Sequence, residues 1–361
     1  MRPIWKAALF VSIVTLATAA SAAADTTGAD SLRDAREVHL RNVRQLTFGG
    51  ENAEGYWSPD GTRLILQSKR GDFQCDQIFI LDVATGETKL VSTGKGRTTC
   101  SYFIPNTDRI LYASTHWADA ACPPPADYSQ GYVWKLYHTF EIFSARTDGS
   151  DLRRLTDHDG YDAEATCSVD GKRVIFTSLR DNDLDLYTMK PDGSDVKRIT
   201  HEVGYDGGAF FSHDGKHIVW RASRPKNETE KQQYLDLLKS DTIRPTQLEI
   251  YTADADGKNV RQLTANSAAN FCPYFSADDR WIIFASNVGD PQGRNFDLWR
   301  MRTDGTGLEQ ITFDPTFDGF PMFSPDGTRL VFASNRHSAV RGDTNLYLAD
   351  WVESMPGTPA K

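Results

Sequence analysis

Short apolar runs with a polar or aromatic lead recur along the chain: Arg63-Leu-Ile-Leu66, Arg173-Val-Ile-Phe176, His217-Ile-Val-Trp220, Trp281-Ile-Ile-Phe284 and Arg329-Leu-Val-Phe332. Such runs, rich in β-branched and aromatic residues and bounded by turn residues, predict strands. The same phrase stands before each: Trp57-Ser-Pro-Asp-Gly61, Cys167-Ser-Val-Asp-Gly171, Phe211-Ser-His-Asp-Gly215, Phe275-Ser-Ala-Asp-Asp279 and Phe323-Ser-Pro-Asp-Gly327. Asp-Gly predicts a tight hairpin, because Gly accepts the positive φ that the turn needs. A self-similar unit at a fixed period determines the architecture before any local feature does.

Two further strands complete the unit. One has the form Asp-Leu-Tyr, as in Asp76-Gln-Ile-Phe79, Glu141-Ile-Phe143, Asp185-Leu-Tyr187, Glu249-Ile-Tyr251, Asp297-Leu-Trp299 and Asn345-Leu-Tyr347. The other ends in Leu/Ile-Thr, as in Arg153-Arg-Leu-Thr156 and Lys197-Arg-Ile-Thr200. Four antiparallel strands joined by tight turns make one propeller blade. A degenerate copy at Tyr102-Phe-Ile-Pro-Asn-Thr-Asp-Arg109 fills the gap between Ser58 and Ser168, so the expectation is an all-β, six-bladed propeller. The last copy lacks its fourth strand, whereas a spare one, His39-Leu-Arg-Asn-Val-Arg-Gln-Leu-Thr47, precedes the first. The N-terminal strand is therefore expected to close the ring and hide its edges.

Two copies carry insertions. The blade-2 insertion, 115–138, is aromatic, with Trp117, Tyr128, Tyr132, Trp134 and Tyr137. The blade-4 insertion, 224–247, contains a run with Asn227 as a cap and Tyr234, Leu235 and Leu238 on one face, which predicts a short helix. Both are loops between second and third strands, so both are expected on the face that also carries the blade-to-blade loops.

Composition refines the ends. Arg2 and Lys6 precede an apolar stretch from Ala7 to Ala19 and then small residues, the pattern of a secretory signal peptide. The expected division is a leader at 1–24, a flexible segment at 25–37, the propeller at 38–351 and a flexible tail at 352–361. With no cysteine near the cleavage region there is no lipobox, and no later stretch is apolar enough to span a bilayer. A periplasmic or secreted protein is expected. Removing Arg2 and Lys6 takes the net charge from −9 to −11, which argues against nucleic acid as a partner. Export permits disulfides; one is expected among Cys75, Cys100 and Cys122, while Cys167 and Cys272 are expected to pack as small buried residues.

The Phe-Ser-Pro-Asp-Gly-x-x-Leu-x-Phe-x-Ser pattern, with its Asp-Leu-Tyr and Leu-Thr strands, resembles the repeats of the TolB-like six-bladed propeller proteins. The resemblance covers nearly all of 39–351 and implies a propeller-only relative, without the α/β domain that precedes the propeller of TolB itself.

Function is sought where the copies differ. The segments leading into the innermost strands should rim the channel with Glu54, Asp162, Glu164, Asp206, Asn270 and Asp318. Converging carboxylates repel one another, which raises pKa values or recruits a cation. Two readings stand: a ligand rim, with Ca²⁺ or Mn²⁺ on His158, Asp162, His201 and Asp206 as its metal form, or Asp side chains serving as turn caps. No Gly-x-Ser-x-Gly elbow, His-Glu-x-x-His or phosphate loop occurs, so no catalytic residue is assigned and no cofactor is required. The expected activity is binding of an envelope protein, small ligand or oligosaccharide on the insertion-bearing face. The alternative is a metal-assisted polysaccharide lyase or hydrolase acting on an acidic oligosaccharide, drawing on His158, His201, Arg221, Arg224, Tyr161 and Tyr205.

Overall fold

A computed structural model describes residues 29–353 apart from 130, 291 and 339. The expected leader (1–24) and most of the expected C-terminal tail lie outside the described residues. The chain forms six four-stranded antiparallel sheets, each one blade. The innermost strands are Glu51–Trp57, Thr98–Ile104, Asp162–Cys167, Asp206–Phe211, Asn270–Phe275 and Asp318–Phe323, in blades 1 to 6. The strand Leu40–Gln45 pairs with Asn345–Trp351 as the outer strand of blade 6, so the N-terminus closes the ring as predicted.

The repeated residues are bonded alike in each copy, which explains the repeat. In the Ser-x-Asp turn the Ser58 hydroxyl donates to Asp60 at 2.5 Å and accepts from the backbone N–H of Arg63 at 2.9 Å. Ser168, Ser212, Ser276 and Ser324 do the same with Asp170, Asp214, Asp278 and Asp326. In the degenerate copy Thr107 substitutes, accepting from the N–H of Arg109 at 3.1 Å. At the far end of each blade the Leu-Thr hydroxyl accepts from the third strand: Thr156 from Ile142, Thr200 from Leu186, Thr264 from Ile250 and Thr312 from Leu298. Thr200 also donates to Asp185 at 3.1 Å, which ties strands three and four together at a buried acid.

Residues 29–37 differ from the flexible segment expected. A 3₁₀ turn, Ala29–Leu32, leads to Glu37, which is fully buried and held by Arg336 at 3.0 Å; Arg336 also holds Asp318 at 2.8 Å. A buried cation between two carboxylates fastens this segment to blade 6, because breaking such a triad leaves uncompensated buried charge.

The two insertions meet. Trp134–Lys135 pairs antiparallel with Thr242–Ile243, in the register Ile243 with Trp134 and Thr242 with Lys135. The predicted helix is present at Glu228–Leu238 (α1), capped by Asn227, whose side chain accepts from the Glu230 N–H at 3.0 Å. Tyr234 and Leu238 are buried in a second apolar cluster with Leu136, Phe140, Tyr161 and Tyr205, and the Tyr234 hydroxyl donates to Asp183 at 2.6 Å. Together the insertions roof blade 3 and part of the channel. No helix among the described residues is long and apolar enough to cross a membrane.

Candidate functional site

Every innermost strand carries a β-bulge, and within each bulge one residue has positive φ: Glu54 (53°), Cys100 (49°), Glu164 (59°), Gly208 (61°), Cys272 (54°) and Phe320 (53°). Only one of the six is glycine, so five side chains are held in a region that L-residues rarely adopt. All six residues line one cavity of about 670 Å³ at the channel mouth, a volume in the usual range for small-molecule sites. The paired insertions add Tyr128, Tyr132, Trp134 and Ile243 to its wall.

Gly208 has a specific reason. A Cβ there would fall 1.9 Å from Nη1 of Arg221. The missing side chain makes room for the Arg221 guanidinium, which pairs with Glu164 and lies over the rings of Trp134 (5.2 Å) and Tyr205 (5.5 Å). Glu164 also accepts from Thr177 at 2.7 Å and from the Gly208 N–H at 2.9 Å. At the cavity's edge Arg97 pairs with Asp76 at 2.8 Å.

Glu54 is different. It is 9% exposed, and its nearest hydrogen-bonding group is the Cys100 thiol at 3.8 Å. Its second oxygen has no partner, and neither has Nε of Arg221. Burial, reinforced by the nearby Glu164 charge, pushes the Glu54 carboxyl up to about 7. Burial likewise holds the thiols of Cys100 and Cys272 well above their ordinary value.

Of the six predicted rim residues, Glu54 and Glu164 line this cavity. Asp162, Asp206, Asn270 and Asp318 do not; each is the first residue of its strand, is fully buried and is bonded within its blade. Asp162 is paired with Arg180 at 2.6 Å, Asp206 with Arg224 at 2.6 Å and Asp318 with Arg336 at 2.8 Å, while Asn270 accepts from Ser286 at 2.7 Å. Burial raises Asp206 and Asp318 to about 6 against the opposing pull of these arginines. The metal candidates do not assemble. His158 and His201 are exposed, Asp162 and Asp206 are engaged in separate blades, and the described residues hold no group of three or more ligand side chains placed for a metal ion. Of the six residues considered for the lyase alternative, Arg221, Tyr161 and Tyr205 reach the cavity; His158, His201 and Arg224 do not line it.

One disulfide lies within the cysteine trio. Cys75 is bonded to Cys122, which anchors the blade-2 insertion to blade 1. Cys100 remains a thiol in the cavity. Cys167 and Cys272 are buried. Sequence reasoning passed over Cys100 as a channel residue, and did not single out Cys272 and Phe320 within the segments expected to rim the channel. The signal was available: all six bulge residues stand four positions before the Ser anchor or its equivalent, as Glu54 does before Ser58 and Cys272 before Ser276.

No family model matches the chain, and no curated protein matches it. Among solved structures it is similar to a putative TolB from Agrobacterium tumefaciens (21% identity, TM-score 0.57), covering 84% of this chain and 91% of that one. It is similar to TolB from Acinetobacter baumannii (18%, 0.52), covering 84% of this chain and 64% of that chain's length. It is also similar to an oligogalacturonate lyase in complex with manganese (17%, 0.53), covering 86% and 80%. These likenesses show the fold, a TolB-like six-bladed propeller.

Proposed function

We propose that this protein is an exported propeller, without catalysis of its own, that holds a small ligand in the cavity beneath its paired insertions. One observation carries the reading. The two insertions, from blades 2 and 4, pair with each other over a cavity in which Glu54 and Arg221 keep buried polar atoms without partners. Buried polar groups are ordinarily satisfied, so unpaired ones on residues that line a cavity favour a ligand that completes them. A protein partner from the envelope would require a broader face. Here the convergent groups lie in a recess narrowed by Trp134 and Ile243, which favours a small molecule. Export rests on the signal-like segment at 1–24 and is consistent with the disulfide.

The lyase alternative has the fold likeness in its favour but not the residues. Its two histidines are exposed and off the cavity, and the set proposed for manganese does not come together.

The test starts with protein recovered from a periplasmic extract, with its N-terminus sequenced to locate cleavage between residues 22 and 25. That material is screened by thermal shift against a small-molecule library, alongside Trp134→Ala. Hits should stabilise the wild type and lose most of their effect in the variant. Hits that act equally on both would place binding elsewhere.

A further inference from the structure

Four carboxylates line the cavity: Glu54, Asp76, Glu164 and Glu51, the last exposed and paired with Lys69. Asp76 has Arg97 and Glu164 has Arg221 as counterions. Glu54 has none; its one hydrogen-bonding partner is a thiol and its second oxygen has no partner. A nine-tenths buried carboxylate in this condition lacks a cation. The cavity also shows how it accommodates one. The Arg221 guanidinium is held by a carboxylate on one side and by the rings of Trp134 and Tyr205 on the other. Aromatic faces stabilise desolvated cations in this way, and Tyr56, Phe271 and Phe320 bring further rings to the same space as Glu54.

We infer that the ligand is a small organic monocation, an alkylammonium or alkylguanidinium, whose charged head takes Glu54 as its counterion and whose body lies against the aromatic wall. This rests on the cavity reading above and narrows it to one chemical class. An anion would have to displace Glu164 from Arg221, Asp76 from Arg97 or Asp241 from Lys135, and would meet Glu54 as a like charge.

The groups facing Glu54 are Tyr56 and Asp76 from blade 1, Cys100 from blade 2, Glu164 from blade 3, Arg221 from blade 4 and Cys272 from blade 5. The tyrosine and both thiols are held well above their ordinary values, so they stay neutral across pH 5–8. The remaining charges on the cavity wall are the two ion pairs, Glu51 paired with Lys69, and Lys135 paired with Asp241. Cation binding should therefore follow the ionisation of Glu54. Its carboxyl is raised to about 7, so the apparent affinity should fall about tenfold per pH unit below pH 7 and level off above it.

Calorimetry with four probes of one size tests this: n-butylammonium, n-butylguanidinium, n-butanoate and n-butanol, each at pH 6 and pH 8. The expected result is binding of the two cations, about tenfold weaker at pH 6, and at least tenfold weaker in a Glu54→Gln variant that melts no lower than the wild type. Lys258→Gln, on an exposed turn of blade 4 away from the cavity, should leave cation binding unchanged. Cation affinity that is equal in Glu54→Gln and wild type overturns the assignment. Binding of butanoate or butanol instead, with quenching of Trp134 fluorescence, overturns the cation class while leaving the cavity as a ligand site. If none of the four binds and Trp134 is unaffected, both readings fall.

Discussion

Two positions of each innermost strand, two residues apart, have opposite roles. The first, occupied by Asp162, Asp206, Asn270 or Asp318, turns back into its own blade and is bonded there. The second, occupied by Glu54 or Glu164, faces the channel. In a regular strand the two would share a face. The bulge, in which the second position is itself the positive-φ residue, re-aims that side chain. Sequence reading merged both into a single carboxylate ring because the bulge has no residue signature: Glu, Cys, Gly and Phe all occupy it. This separation has a consequence in pH. Glu54 and Asp297 are raised to about 7, and Asp206 and Asp318 to about 6. Burial is the first cause in each case, and folded values lie above unfolded ones. The native state therefore binds more protons than the unfolded chain, and stability present below about pH 4 is progressively lost as pH rises through 6 to 7. For Glu54 the difference between 4.5 and about 7 corresponds to roughly 3 kcal/mol at about 1.4 kcal/mol per unit. Urea unfolding should give a midpoint that falls from pH 5 to pH 8, and Glu54→Gln should flatten that slope by a share of this order. A profile that rises with pH would contradict the assignment of these buried acids.

Among the elements, the blades were legible and the roof only in part. Blade strands repeat, so six imperfect copies corroborate one another; Asp-Gly turns and Leu-Thr ends each report a hydrogen bond that recurs in the structure. The helix was legible from its cap and its buried face, Tyr234 and Leu238. The pairing of Trp134–Lys135 with Thr242–Ile243 was not. It joins residues over a hundred positions apart through two-residue strands too short to show a period. Three of the roof's attachments are this pairing, the helix packed on Leu184 and Tyr205, and the Cys75–Cys122 bond. The disulfide spans 47 residues, and restricting such a loop in the unfolded chain is worth up to about 4 kcal/mol. Cys75→Ser/Cys122→Ser should lower stability by about 2–4 kcal/mol in urea unfolding, and reductant should lower the wild type towards the double variant while leaving the variant itself unchanged. A wild type insensitive to reductant would mean that the bond adds nothing beyond the other attachments.

At the scale of the whole molecule, ring closure determines how the six blades share their stability. Leu40–Gln45 completes blade 6 from the opposite end of the chain, with Leu40 and Val43 fully buried and His39 stacked on Trp351 at 5.0 Å. Behind this strand, Glu37, Arg336 and Asp318 form the buried triad. An open propeller would let blade 6 fray alone, as terminal units of linear repeat arrays do. Closure makes the last blade as interior as the third, and the apolar cluster that includes Leu40 runs on through blades 1, 2, 4 and 5. A cavity under Leu40 should therefore weaken the entire ring. Leu40→Ala should cost about 2–5 kcal/mol, the usual range for truncating a buried leucine, and the loss should appear equally in distant blades. Amide exchange measured by blade distinguishes the alternatives. In a cooperative ring, the slowest amides of blade 3, around Ile175 and Phe176, lose as much protection in Leu40→Ala as those around Val331 in blade 6. If blade 6 alone loses protection while blade 3 keeps its full value, the N-terminal strand is a local patch and the ring is modular. Arg336→Met should follow the same pattern with a loss of about 3–5 kcal/mol, because it leaves Glu37 and Asp318 buried without their cation.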